Sequence, residues 1–146
     1  MAEHAKLPRN PDQPKYVVDM FTYEIDFAAV AAGATANGNI TIQADSDFKW
    51  LKATYFADIA AAAETDATRV IPLCTVLITD QGSGRQLMNA AVPVPDIFGT
   101  GPIPFILPIP KIFSAKSTVA VQIVNFSAAT AYNLRLSLIG AKIFKL

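Results

Sequence analysis

Alternation of apolar and polar residues is the strongest pattern along this chain. Residues 21–29 carry aromatic or aliphatic side chains at every second position, with polar side chains at positions 22, 24 and 26. A period of two places one set of side chains on each face of an extended chain and so predicts a half-buried strand. The same alternation returns over residues 118–126 and 132–138, which we expect to form a C-terminal hairpin, with a bulge at Gly140.

The middle of the chain is less regular. Residues 48–63 fit helical spacing as well as alternation, and we favour a strand over residues 48–58 because the clear elements around them are strands. Residues 70–79 are apolar on both faces, which is typical of a strand covered on both sides. Residues 85–92 are expected to return beside that strand as a hairpin partner.

Residues 93–110 contain six of the ten prolines of the chain. Since proline cannot donate to a strand ladder, we expect a long loop and a sheet edge here, with residues 105–107 pairing only briefly. The loop is also apolar and stiff, so it loses little entropy on docking. We therefore predict an interface with other subunits at Val94, Ile97, Phe98, Ile103, Phe105 and Ile106.

Residues 1–18 hold three prolines at three-residue spacing among charged and polar neighbours. Two interpretations stay open: a floppy terminus, or an extended arm that lies on a neighbouring subunit. In the second interpretation Leu7, Tyr16 and Val17 are the apolar anchors. The predicted domain organisation is an N-terminal arm over residues 1–18 and one folded domain over residues 19–146.

The predicted fold is all-β. About eight short strands separated by turn-rich spacers, with no clear helix, indicate an antiparallel two-sheet β-sandwich, most simply a jelly roll. A chain of 146 residues suits one such domain.

Composition argues against catalysis and against a cofactor. His4 and Cys74 are the only histidine and cysteine, so neither a zinc site nor a disulfide framework is expected. The N-terminus has no apolar stretch of the signal-peptide kind. Twelve basic and twelve acidic residues leave no net charge to attract nucleic acid or a membrane, and we expect neither as a partner.

The zero net charge is nevertheless uneven along the chain. The first 96 residues carry seven basic and twelve acidic side chains, whereas the last fifty carry five basic and no acidic ones. Either the fold mixes the two groups in space, or the molecule has an acidic and a basic region suited to docking on other protein copies.

Several short strings resemble small virion structural proteins of tailed bacteriophages, of the capsid decoration or cement type. The resemblance covers roughly residues 20–146, and its strings are Ile42–Phe48, Tyr55–Ala60, Thr79–Met88, Val92–Pro95, Phe98–Gly101 and Asn133–Gly140. It implies a jelly-roll protein that assembles as a homodimer or homotrimer on the outside of a phage head. The implied partner is the major capsid protein, and the implied location is the virion surface after synthesis in the host cytoplasm.

Two other functions stay open from the sequence. One is a receptor- or glycan-binding jelly-roll module, with Trp50 and Tyr55 as a stacking platform for sugars. The other is a minor tail or head–tail component of the virion.

Overall fold

The computed structural model describes residues 15–60 and 69–145, which form nine strands and one four-residue helix. The elements are β1 (Tyr16–Val30), β2 (Thr35–Thr41), β3 (Asp47–Ile59), β4 (Cys74–Asp80), β5 (Arg85–Gln86), β6 (Val92–Pro93), α1 (Val94–Ile97), β7 (Phe105–Phe113), β8 (Thr118–Asn125) and β9 (Tyr132–Lys145). Among the described residues, no helix has the length and apolar character needed to cross a membrane.

The strands form two antiparallel sheets that make a sandwich. Sheet A has the order β1-β9-β3-β7, and sheet B has the order β2-β8-β4-β5, with β6 also paired to β4. The chain changes sheet at almost every connection, and β5 and β6 share one place beside β4. Each sheet thus has four strand positions, which is the eight-position jelly roll that the sequence predicts.

The core lies between the sheets and follows the predicted alternation. Alternate side chains are buried in β1, β8 and β9, as the apolar periodicity of those segments indicates. Alternate side chains of β4 are also buried, and among them Cys74 has no exposed surface. The cysteine is therefore a small core residue.

The predicted C-terminal hairpin is wrong. Strand β8 lies in sheet B between β2 and β4, whereas β9 lies in sheet A between β1 and β3. The connection between them crosses the sandwich. Alternation correctly identified both strands and their buried faces, but it carries no information about which strand each one pairs with.

Residues 48–58 form a strand, as favoured, within β3. The predicted bulge near Gly140 is present as an irregularity, but the extra residue is on the neighbouring strand: Trp50 pairs with Gly140 and Lys52 with Ile139, so Leu51 is the inserted residue. A side chain at Gly140 would overlap the carbonyl oxygen of Lys49, which explains why glycine is needed at this crossing.

Two expectations for the region after β4 need correction. Residues 85–92 pair with β4 only at their ends, through β5 and β6. Residues 93–110 are not one long loop, because they include β6, α1 and most of β7. Strand β7 is an edge strand, and the edge is where a sheet tolerates proline.

The predicted boundary of the N-terminal arm also moves. Strand β1 begins at Tyr16, and its first residues pair with the end of β9, with Tyr16 opposite Lys145 and Val18 opposite Ile143. Residues 16–18 thus belong to sheet A. Leu7, the third predicted anchor of the arm, lies outside the described residues.

Candidate interaction surface

The outer face of sheet A, turned away from the core, carries exposed aliphatic side chains at one end. Across this face, Met20 pairs with Ala141, Ala141 with Lys49, and Lys49 with Ile112, which places Met20 and Ile112 in one row. The side chains of this outer patch are Val18, Met20, Ile106, Ile112, Ile139 and Ile143. Met20 is 84% exposed and Ile112 is 52% exposed.

The opposite end of the same face is polar. Asp26 on β1 lies opposite Arg135 on β9, and Glu24 lies one row nearer the outer patch. A side-chain hydrogen bond with Asp26, together with burial and the charge of Asp26, raises the pKa of Glu24, while Arg135 acts in the other direction. A shallow cavity of about 410 Å³ lies beside these residues and is also lined by Phe56. The face therefore divides into an aliphatic half and a charged half.

One edge of sheet A is the free edge of β1. In the described part of the chain, β1 pairs with β9 and with no other strand, so its second edge is open. Tyr16 is 56% exposed, Val17 is 40% exposed and Val18 is 61% exposed. An open strand with apolar side chains can accept another strand.

The other edge of sheet A is β7, and it is interrupted. Trp50 pairs with Lys111 and Lys52 with Ile106, so residues 107–110 bulge out opposite the single residue Leu51. Pro108 and Pro110 lie in this bulge and have no N–H group to donate. This edge presents side chains to a partner but lacks a continuous ladder.

The predicted interface residues of the 93–110 segment divide into three groups. Val94 and Phe98 are buried in the core, so these two are not available to a partner, contrary to expectation. Ile97 and Phe105 are half-buried against the core. Ile103 is 77% exposed and Ile106 is 66% exposed, as an interface requires.

Burial of Phe98 has a clear local cause. The turn of α1 brings the N–H of Phe98 to the carbonyl oxygen of Val94, at 2.9 Å, and directs both side chains inward. The Phe98 ring then lies 6.3 Å from the Trp50 ring, measured between centroids. The prolines stiffen the approach to this turn, but the apolar side chains they flank serve the core.

An apolar groove of about 340 Å³ lies between β7 and the residues that follow β5. Leu87 and Met88 form one wall, while the β7 bulge, including Ile109, forms the other. The Met88 sulfur accepts a hydrogen bond from the N–H of Ile78 at 3.2 Å, and the carbonyl oxygen of Ile78 accepts one from the N–H of Leu87 at 3.0 Å. The groove therefore marks the open side of the sandwich.

The structure mixes the acidic and basic groups that the sequence separates. Lys111 Nζ lies 3.1 Å from Asp80 Oδ2, and Lys142 Nζ lies 3.0 Å from Asp45 Oδ2. Together with Arg135 opposite Asp26, three of the five C-terminal cations lie beside acidic residues. The hypothesis of separate acidic and basic regions is wrong for these residues.

The Asp80 carboxylate accepts hydrogen bonds from several donors. Burial opposes its ionisation, but hydrogen bonds from Lys111 and Ser83, with the Lys111 charge and the Gly82 N–H, outweigh burial and hold the pKa of Asp80 below its ordinary value. The ion pair ties β7 of sheet A to the end of β4 in sheet B. The ion pair thus connects the two sheets on the side of the sandwich where β7 and the end of β4 lie.

Trp50 cannot serve as the predicted sugar platform. The ring is 3% exposed and lies 6.0 Å from the Phe113 ring in a stacked arrangement. Its indole N–H donates to the Lys52 carbonyl oxygen at 2.7 Å, so its polar atom is also occupied. Tyr55 is half-buried against the core.

The described residues also show no reactive thiol and no metal-binding cluster. Burial raises the pKa of the Cys74 thiol to about 11, which keeps it protonated at neutral pH. Within residues 15–60 and 69–145, no group of three or more histidine, cysteine, aspartate or glutamate side chains is placed to hold a metal ion. His4 lies outside the described residues.

The comparisons with known proteins give structural neighbours only. No family model matches the chain, and no curated protein matches it. A crystal structure of the infectious bursal disease virus VP2 subviral particle is 11% identical, with a TM-score of 0.34, over 92% of this chain and 38% of that chain. A structure of the infectious bursal disease virus Gt strain is 11% identical, with a TM-score of 0.28, over 96% of this chain and 42% of that chain.

These neighbours are much longer proteins. The chain spans about two fifths of the length of the structures it matches. A likeness with TM-scores this low carries no conclusion about function. The outer patch and the two edges of sheet A therefore have to be interpreted from their own geometry.

Proposed function

We propose that this protein is a structural component of a bacteriophage particle. It binds the outside of the head as a decoration protein and stabilises the capsid through contacts with the major capsid protein and with copies of itself. Synthesis takes place in the host cytoplasm, and the protein acts without catalysis or a cofactor.

The outer patch is the observation that carries this proposal. Four of its aliphatic side chains are more than half exposed, two on β1 and two on β7, where they lie on either side of the bulge. Contiguous apolar surface on a folded domain marks a contact with another macromolecule. Lys49 and Lys52 lie within the aliphatic rows, beside Ile112 and Ile106, where their methylene stems extend the apolar surface and their charges remain in water.

The fold supports the same proposal by analogy. Jelly rolls are found in viral capsid domains, in lectins and in cupins, so the fold narrows the choice without deciding it. The lectin alternative loses its predicted platform because Trp50 is buried. The short strings that resemble phage decoration proteins favour the capsid role among the three.

Particle composition and patch variants test the proposal together. The protein is quantified by mass spectrometry in purified particles of the phage that encodes it, and heads that lack it are then incubated with purified protein. Decoration requires a copy number comparable with that of the major capsid protein. A copy number typical of a tail or vertex component contradicts decoration.

The patch variant is Ile112→Lys, with Ser137→Lys as its matched control. Both residues lie on the outer face of sheet A, but Ser137 belongs to the polar half, between Glu24 and Thr54. We expect Ile112→Lys to weaken head binding at least tenfold, because it places a charge in an apolar contact. Ser137→Lys should bind like the wild type, and equal loss in both variants would contradict the assigned surface.

A further inference from the structure

We infer that the protein forms a two-fold dimer in which residues 15–19 of two copies pair as antiparallel strands about Val17. The pairing joins the β1 edges of two sheets A into one continuous sheet. The inference rests on the self-association included in the proposed function and names the segment and register that produce it.

The first support is the open edge itself. The start of β1 has strand geometry because β9 pairs with it on one side, so its backbone groups on the other side are aligned for a further strand. Residues 15–20 contain no proline or glycine, and one acidic residue, Asp19, is the only charge after Lys15. Such an edge has none of the prolines and few of the charges that usually prevent pairing.

The second support is that the segment is complementary to itself. In an antiparallel pair centred on Val17, Lys15 lies opposite Asp19 of the second copy, and this ion pair occurs twice. Tyr16 lies opposite Val18, also twice, and the two Val17 residues face each other. Opposite charges and aromatic–β-branched pairs are the cross-strand combinations that stabilise sheets.

Neighbouring registers are less favourable. Centring the pair on Val18 puts Asp19 opposite Val17 and leaves Lys15 without a carboxylate. Centring it on Asp19 puts two carboxylates opposite each other, which is destabilising. If the two-fold axis passed between two residues instead of through one, residues of the inner face would lie opposite residues of the outer face. The two sheets could then not continue as one sheet.

The third support is the direction in which the two strands leave the paired segment. Beyond Asp19 the two β1 strands run in opposite directions, so the two sandwiches lie at opposite ends of the paired segment. The five paired rows span about 14 Å.

Cysteine cross-linking tests the register directly. Val17 faces itself across the two-fold axis, where antiparallel Cα atoms are about 4.5–5.5 Å apart and within disulfide range. We expect purified full-length Val17→Cys to form a disulfide-linked dimer under mild oxidation. The matched control is Val18→Cys, whose two copies are displaced by about 7 Å along the strand and should not cross-link.

The native cysteine does not complicate the experiment, because Cys74 has no exposed surface. The control position is more exposed than the test position, 61% against 40%, so exposure alone would favour the opposite result. Equal or faster cross-linking of Val18→Cys overturns the inference.

Charge exchange tests the ion pair in solution. Lys15→Glu places a carboxylate opposite Asp19, and Asp19→Lys places an ammonium group opposite Lys15. By analytical ultracentrifugation, each variant should raise the dimer dissociation constant about tenfold, since two pairs are lost and two repulsions appear. The double variant Lys15→Glu/Asp19→Lys restores the pair across the dimer and should lower the dissociation constant at least threefold from that of either single variant. Because Lys142 of the same chain lies opposite position 19, circular dichroism checks that the variants with lysine there remain folded.

The possible results separate this inference from the proposed function. Cross-linking at position 17 together with charge rescue supports the dimer, whether or not the protein is found on phage heads. A chain that stays monomeric, or dimerises without sensitivity to positions 15, 17 and 19, overturns the dimer and leaves head binding to be judged by particle composition.

Discussion

The two edges of sheet A differ in whether a further strand could pair with them. At β7 the chain bulges, carries Pro108 and Pro110, and is tied to sheet B through the Lys111–Asp80 ion pair. At the start of β1 there is no proline, and apolar side chains surround a backbone edge that pairs with no other strand of the described residues. One edge is closed to strand addition, and the other remains open to it.

This difference assigns distinct kinds of contact to the two edges. A bulged, proline-containing strand meets a partner through side chains, and its stiffness limits the entropy lost on docking. A regular open strand can also contribute backbone hydrogen bonds, which require a partner strand of defined direction and register. The β7 edge and the outer patch suit the surface of a different protein, whereas the β1 edge suits a second copy.

The largest expected effect comes from removing the internal support of β7. Phe98 lies under this edge, 1% exposed and packed against Trp50. Phe98→Ala should lower the free energy of unfolding by about 3–5 kcal/mol, because it removes a ring from a closely packed core. Urea unfolding followed by circular dichroism measures the change.

Ile109→Ala is the matched control on the outside of the same edge. Ile109 is 81% exposed in the bulge, so its truncation should change the free energy of unfolding by less than about 0.5 kcal/mol. Similar losses for both variants would show that the bulge, and not the turn before it, stabilises this edge.

Phe98 also shows where the sequence was sufficient and where it was not. Alternation identified the long strands and their buried faces, and turn-rich spacing led to the correct fold class. The six prolines correctly indicated an edge, but they hid the nine residues of β7. Both prolines inside β7 lie in the bulge opposite Leu51, where no ladder hydrogen bond to β3 is made, so the residues on either side of the bulge remain able to pair.

The candidate site was harder to predict for a related reason. Tyr16, Val18 and Met20 continue the outer face of β1, on which the later positions Thr22 and Glu24 are polar. That change from apolar to polar was visible in the sequence. The sequence did not show that these β1 residues share a surface with Ile112. Met20 and Ile112 lie in one row only because β3 pairs with both β9 and β7.

Removing the Lys111–Asp80 ion pair, which connects β7 to sheet B, should have an intermediate effect on the free energy of unfolding. Lys111→Met removes the main donor to a carboxylate whose side chain is 6% exposed, and should lower the free energy of unfolding at pH 7 by about 1–2 kcal/mol. The pKa of Asp80 is lower in the folded than in the unfolded protein, so its contribution is present above about pH 4 and is lost as pH falls through the folded value.

The difference between wild type and Lys111→Met should therefore shrink when unfolding is measured at pH 3 instead of pH 7. Lys52→Met is the control, since Lys52 is an exposed cation on the neighbouring strand and makes no ion pair with another described residue. A loss that is equal at both pH values would mean that Lys111 acts through packing of its methylene stem and not through Asp80.

The smallest effect on stability, and the sharpest test of the two edges, comes from replacing the β7 prolines. Pro108→Val/Pro110→Val restores two backbone donors while keeping apolar side chains, and should change the free energy of unfolding by less than about 1 kcal/mol. In a Lys15→Glu background, which weakens β1 pairing, the double proline variant should associate as concentration rises, because β7 gains donors for an added strand. Ile106→Val in the same background adds no donor and should sediment like Lys15→Glu alone. If the proline variant also sediments like Lys15→Glu alone, the bulge opposite Leu51 closes this edge by itself, and the prolines only stiffen it.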